Sequence, residues 1–215
     1  MKNNITELVF ILDKSGSMSG LESDTIGGFN SLIENQKKKD GKCYVTTVLF
    51  DTDITKVHDR VELSEIRKMT ADDYIPGGCT ALLDAIGSTV KHIANIHRYA
   101  RPEDVPEHTV FAIMTDGLEN ASRCFSREEI KRMISHEQEK YGWEFLFLGA
   151  NIDSIETACS MGINPQKAAN YHADAVGTQI SWQSIGKAVG RVRASRPLGS
   201  SWHDDIDADY LSRKK

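Results

Sequence analysis

Glu7-Leu8-Val9-Phe10-Ile11-Leu12-Asp13-Lys14-Ser15-Gly16-Ser17-Met18-Ser19-Gly20 is the stretch that decides the fold. Five apolar residues, Leu8 to Leu12, run without a break and stop at Asp13. That is the pattern of a strand buried on both faces rather than the alternation of a strand with one wet face. Such strands belong to parallel sheets covered by helices, and open sheets of that kind keep their sites at the carboxyl ends of the strands. Asp13 is therefore predicted to stand at a functional edge. Beyond it the side chains shrink, and Asp13, Ser15 and Ser17 place three oxygen-bearing groups at alternate positions of one tight loop. Carboxylate and hydroxyl oxygens suit a hard cation such as Mg²⁺ or Mn²⁺, whereas zinc or copper favours His or Cys. Alone, Asp-x-Ser-x-Ser is unspecific, because Ser- and Gly-rich turns that open with Asp also arise for local reasons.

Two later stretches supply partners. Pro76-Gly77-Gly78-Cys79-Thr80-Ala81-Leu82 puts a threonine in a Gly-rich loop just before a helix, and Val110-Phe111-Ala112-Ile113-Met114-Thr115-Asp116-Gly117 repeats the strand-then-aspartate pattern. Asp13, Ser15, Ser17, Thr80 and Asp116 then make five oxygen ligands from three loops. In this order and context the set resembles the von Willebrand factor type A (VWA) domain and its metal-ion-dependent adhesion site, over roughly Glu7 to Tyr171. The resemblance implies that Asp13, Ser15 and Ser17 form the first motif, Thr80 the second and Asp116 the third. It implies that the serine hydroxyls bind the ion directly, that the other residues bind it directly or through water, and that a partner's carboxylate or a water completes the shell. Cys79 departs from the glycine often found before the threonine, although Gly77 and Gly78 retain backbone freedom there.

The rest of the chain reads as alternating strands and helices. A helix is expected over Gly20 to Lys38, a central strand over Cys43 to Phe50, an edge strand over Ile54 to Val61, and a short helix over Leu63 to Met69. Leu82, Leu83, Ile86, Val90, Ile93 and Ile96 mark a helix from Thr80 to about Tyr99. Thr80 is thus either its cap or a metal ligand, and one hydroxyl can serve both roles. A strand follows at Thr109 to Thr115, and Ser126-Arg127-Glu128-Glu129 is a capping box opening a helix to about Lys140. Strands at Trp143 to Leu148 and Ala168 to His172, and helices at Asp153 to Met161 and Ala175 to Arg193, complete the pattern. It predicts an α/β fold, a doubly wound, mostly parallel six-stranded sheet with one antiparallel edge strand and helices on both faces. Residues 1–195 are expected to form one domain. Residues 196–215 are expected to be a polar tail, ordered only where Trp202 or Tyr210 docks.

At 215 residues the chain fits one such sheet, and a chain of this size buries about 70% of the surface its unfolded form exposes. With 40% hydrophobic and 27% charged residues and a net charge of −5, it has ordinary globular composition and no general attraction for nucleic acid or anionic membrane. Lys37-Lys38-Lys39 and Arg191, Arg193 and Arg196 are expected at solvated helix ends. Met1-Lys2-Asn3-Asn4 leads into the first strand with no signal-peptide pattern, and no run is long enough to span a membrane. Cys43, Cys79, Cys124 and Cys159 form no Cys-x-x-Cys pair, which fits a reducing cytoplasm. Cys79 and Cys124 each flank a metal loop, so a redox role for them stays open.

A hydrolase is the competing reading. Gly16-Ser17-Met18-Ser19-Gly20 satisfies Gly-x-Ser-x-Gly, with Ser19 as nucleophile and Asp116 and His172 following in α/β-hydrolase order. Position opposes it, since an elbow serine sits on the turn directly after a strand. The expectation is instead a non-enzymatic module of the stand-alone type found in bacteria and their phages. It would use Mg²⁺ or Mn²⁺ to bind a protein partner that presents Asp or Glu, such as an AAA+ ATPase, with Met18, Leu118 and Glu119 as rim contacts.

Overall fold

The computed structural model describes residues 4–213. The reading of Met1 to Asn3 as the lead into the first strand lies outside them. The strands are β1 (Ile5–Asp13), β2 (Lys42–Phe50), β3 (Ile54–Glu62), β4 (His108–Thr115), β5 (Glu144–Gly149) and β6 (Ala168–Asn170). The helices are α1 (Glu22–Lys37), α2 (Leu82–Tyr99), α3 (Arg127–Tyr141), α4 (Ser154–Ser160), α5 (Ala175–Arg193) and α6 (Asp204–Ser212). They build one six-stranded sheet in the order β3-β2-β1-β4-β5-β6. Every neighbouring pair is parallel except β2 and β3, so β3 is the antiparallel edge strand, as expected.

All nine residues of β1 are buried, which an unbroken apolar run requires. Leu8, Phe10 and Leu12 point into the layer made by α1 and α5, where they join Phe29, Leu32, Trp182, Ile185 and Val189. Val9 and Ile11 point the other way, into the layer of α2 and α3 with Leu82, Ile86, Val90, Ile130 and Ile134. Ring contacts fix the first layer: Phe10 meets Phe29 edge-on at 5.3 Å, and Trp182 lies 6.0 Å from both rings. Local signals close the helices. The Ser126 to Glu129 capping box is present at the start of α3, and Gly142, in the left-handed conformation, ends that helix.

Two regions differ in detail from the sequence reading. Leu63 to Met69 holds only one 3₁₀ turn, Leu63–Glu65. Leu63, Ile66 and Met69 are all buried, so core contacts pin this segment without a helix. Arg193 is not at a solvated helix end but is buried, and it donates to the carbonyls of Gln36 at 2.7 Å and Gly41 at 2.9 Å. The guanidinium fork thereby satisfies the open carbonyls beyond the end of α1. Residues 196–213 carry α6, with Ile206 and Trp202 buried and the Trp202 indole donating to the Gln166 carbonyl at 2.9 Å.

Two adjacent glycines of α1 give a test of the α1–α5 contact. A methyl on Gly28 would lie 2.1 Å from Cδ1 of Trp182, whereas one on exposed Gly27 meets nothing within 4 Å. Replacing glycine by alanine in a helix gains about 1 kcal/mol, but overpacking a core costs about 1–3 kcal/mol. In denaturant unfolding, Gly27→Ala should therefore stabilise the protein while Gly28→Ala destabilises it. Equal effects of the two changes would refute the packing described.

Candidate metal centre

The register of β1 on β4 runs from Thr6 opposite His108 to Leu12 opposite Met114. Carried one residue further, it sets Asp13 beside Thr115 and leaves Asp116 at the same edge. The Thr115 hydroxyl donates to Asp13 Oδ2 at 2.5 Å, and the Ser15 amide donates to Asp13 Oδ1 at 2.7 Å. Ser17 Oγ donates to Asp116 Oδ1 at 2.6 Å and lies 3.2 Å from Ser15 Oγ. Thr80 arrives from the third loop. A methyl built on Gly117 would stand 3.4 Å from Thr80 Oγ1 and 3.6 Å from Ser17 Oγ, so these hydroxyls flank one small space. All five side chains chosen from the sequence thus meet at the carboxyl ends of β1 and β4. Asp13, Ser15, Thr80 and Asp116 are buried, while Ser17 is exposed and opens the cluster to solvent.

The loops are held by backbone contacts that the glycines permit. Gly77 N–H donates to the Lys14 carbonyl at 2.9 Å and Gly16 N–H to the Gly78 carbonyl at 3.3 Å. Gly78 has φ +65°, which a side chain would strain. The cap of α2 is Ala81, with no side-chain cap bond, so the Thr80 hydroxyl is not the cap of that helix. Cys79 is exposed and leaves the approach of its loop unobstructed.

Electrostatically the site is a pair of like charges. Burial raises the Asp13 carboxyl above its ordinary range, against the hydrogen bonds from Ser15 and Thr115. Asp116 is also raised, first by burial and then by the charge of Asp13, with the Ser17 hydroxyl opposing. Among the described residues neither carboxylate has an ion pair, and Lys14, next to Asp13 in the chain, pairs with Asp51 instead. Beneath them Tyr171 is buried, its hydroxyl has no partner among the described residues, and burial and the two aspartates push its ionisation upward. Two carboxylates and three hydroxyls without a counter-charge fit a hard divalent cation, whose charge they would balance. Among the described residues no three His, Cys, Asp or Glu side chains converge, so the candidate centre has only two carboxylates and takes its other donors from hydroxyls.

Several residues that shape the site escaped the sequence reading. Thr115 orients Asp13 from within β4. Glu119, expected at the rim, instead accepts from the amides of Leu83, Ala121 and Ser122 at 2.8–2.9 Å. Asp84 accepts from the amides of Arg123, Cys124 and Phe125 at 2.8–2.9 Å. Together they tie the loop after β4 onto the start of α2. Met18, also expected at the rim, is buried in the core, whereas Leu118 and Ile75 are each 66% exposed. A signal existed for Thr115, a hydroxyl at the end of an apolar strand, but acids that cap a distant loop carry none.

No family model matches the chain, and no curated protein matches it. Solved structures do. Proximal thread matrix protein 1 from the mussel byssus, in a form with a zinc-occupied MIDAS motif, is similar over 86% of this chain, with a TM-score of 0.61 and 15% identity. This chain spans 46% of that one, about half its length. Manganese-loaded TRAP protein of Plasmodium vivax is similar over 84% of this chain and 73% of its own, with a TM-score of 0.55 and 19% identity. The vWF domain of the pilus tip protein Mfa5 from Porphyromonas gingivalis aligns over 86% of this chain and 94% of its own, with a TM-score of 0.61 and 10% identity. The chain has the von Willebrand factor type A fold.

Without a cation, the two buried aspartates should work against folding. In chelator at neutral pH, Asp116→Asn keeps the Ser17 contact and removes one of the like charges. Its thermal midpoint should rise by about 2–4 °C over the unchanged protein. A lower midpoint, measured by calorimetry, would show that the aspartates support the fold rather than a ligand.

Proposed function

We propose that this chain is a non-enzymatic, divalent-cation-dependent protein-binding module. The observation that carries this reading is the convergence of Asp13, Ser15, Ser17, Thr80 and Asp116, with two buried acids and no basic partner among the described residues. Mg²⁺ or Mn²⁺ is the ion proposed, because the donors are all oxygens. The zinc in the MIDAS motif of the mussel protein and the manganese loaded on the Plasmodium protein support a divalent ion. The ion would supply an open coordination position. Asp13 and Asp116 would balance its charge, and the exposed side of the site would accept an Asp or Glu of the partner. Of the expected rim contacts Leu118 remains, and exposed Ile75 would join it in place of buried Met18 and the engaged Glu119. A bacterial or phage origin and an AAA+ ATPase as the partner are parts of the same proposal, and the four free thiols favour a reducing cytoplasm.

The hydrolase reading lacks its machinery. Ser19 is exposed beyond the Gly16–Met18 turn, and Asp116 is engaged with Ser17. The His172 ring nitrogen lies 3.1 Å from the Tyr210 carbonyl and its ring stacks on Tyr210 at 4.8 Å. Among the described residues no hydrogen bond links Ser19, His172 and Asp116.

Millimolar Mg²⁺ or Mn²⁺ should raise the thermal midpoint of the protein, since a ligand at a hundred times its Kd stabilises the native state by about 2.7 kcal/mol. Asp13→Ala should abolish that rise and the heat of binding. Titration calorimetry showing no binding to the unchanged protein, or equal binding to Asp13→Ala, would sink the assignment. Partner capture should depend on Mg²⁺ and fail in EDTA and with Thr80→Ala.

A further inference from the structure

We infer that Thr52 and Asn120 are positioning residues that hold Thr80 in register with the rest of the metal centre, an inference that rests on the metal-binding reading above. Three consecutive amides around Thr80 each donate out of their own loop. Cys79 N–H reaches Thr52 Oγ1 at 2.9 Å, Thr80 N–H reaches Asn120 Oδ1 at 2.9 Å, and Ala81 N–H reaches the Asp51 carbonyl at 2.9 Å. Asn120 closes the circuit by donating its own amide to the Thr80 carbonyl at 3.0 Å. These amides precede α2, whose own leading donors, Leu83 N–H and Asp84 N–H, are met by Glu119 Oε2 and Ser122 Oγ. Here no side chain caps α2 from within, so outside groups set where its first residues lie.

The two outside groups report on the two other metal loops. Thr52 lies in the turn between β2 and β3, next to Asp51, which pairs with Lys14 of the first loop. Lys14 N–H also donates to the Phe50 carbonyl at 2.7 Å, at the end of β2. Asn120 lies in the loop that begins with Asp116. Thr52 thus references Thr80 to Asp13, Ser15 and Ser17, while Asn120 references it to Asp116. Gly78 makes room for this contact, since a methyl there would stand 2.7 Å from Thr52 Oγ1.

Both side chains are exposed, so water can replace their hydrogen bonds with little loss of folding stability. Water cannot restore the geometry. Groups that orient metal ligands through a hydrogen bond typically change metal affinity 10–100-fold. The loss should be larger for Mg²⁺, which demands near-octahedral geometry at about 2.1 Å, than for Ca²⁺, which accepts irregular shells at about 2.3–2.6 Å.

The test is titration calorimetry of Mg²⁺ and Ca²⁺ on the unchanged protein and on Thr52→Val, Thr52→Ser, Asn120→Ala and Thr55→Val, the last a control at a nearby exposed threonine. Thermal midpoints are taken in chelator. Thr52→Val and Asn120→Ala should weaken Mg²⁺ by about tenfold or more, weaken Ca²⁺ less, and leave the midpoints nearly unchanged. Thr52→Ser should restore Mg²⁺ binding and Thr55→Val should not disturb it. Unchanged Mg²⁺ affinity in both Thr52→Val and Asn120→Ala, or equal losses for the two ions, would overturn the inference while leaving the metal site standing. No binding by the unchanged protein would remove the metal-binding reading itself, and this inference with it.

Discussion

The structure depends on one strand being buried on both faces along its whole length. β1 has no side chain directed to water, so a neighbouring strand must satisfy its backbone on each edge and a helical layer must cover each face. β2 and β4 supply the edges, α1 and α5 one layer, and α2 and α3 the other. The strand's last residue is then forced out at the carboxyl edge of the sheet. That residue is Asp13, and the parallel register with β4 brings Thr115 and Asp116 to the same place. The position of the candidate site is thus a by-product of how the core is covered.

What collects at that edge is unfavourable by itself. Two carboxylates share a buried corner, each raised above its ordinary range by burial, and the charge of Asp13 raises Asp116 further. The protein offsets this only in part, with the side chains of Ser15, Ser17 and Thr115 and the backbone amides of Ser15 and Asp116. Elsewhere in the sheet a buried acid is treated differently: Glu7, fully buried in β1, receives the Arg60 guanidinium at 2.9 Å and the His97 ring at 3.4 Å. Glu7 is thus met by cationic side chains, and Asp84 by three backbone amides. Asp13 and Asp116 lack a cationic partner among the described residues, which is the arrangement a site for an external cation needs.

Secure loops complete the picture. Asp84, Glu119 and Asn120 accept backbone amides across the junction of α2 and the loop after β4. Hydrogen bonds of this kind keep short, Gly-rich segments in one conformation, so the oxygen ligands do not have to be ordered when an ion arrives. Leu118 and Ile75 stay exposed among the loops, together with polar Ser17, Thr52 and Asn120.

By itself the sequence determined the fold class and the composition of the candidate centre. The unbroken run from Leu8 to Leu12, the alternation of strand and helix patterns, and the capping box at Ser126 act over a few residues. Local periodicity and turn chemistry therefore reveal them. Only the tertiary structure decided which of these residues meet and what surrounds them. The Ser17–Asp116 and Thr115–Asp13 contacts span 99 and 102 positions, and the Arg193 clamp on α1 spans 157. The same holds for the burial of Met18, the inward turn of Glu119, the absence of a helix at Leu63 to Met69, and the support that Thr52 and Asn120 give Thr80. Each of these is a hydrogen bond or a contact between segments brought together by the packing of the sheet, and a short window of sequence holds only one side of it.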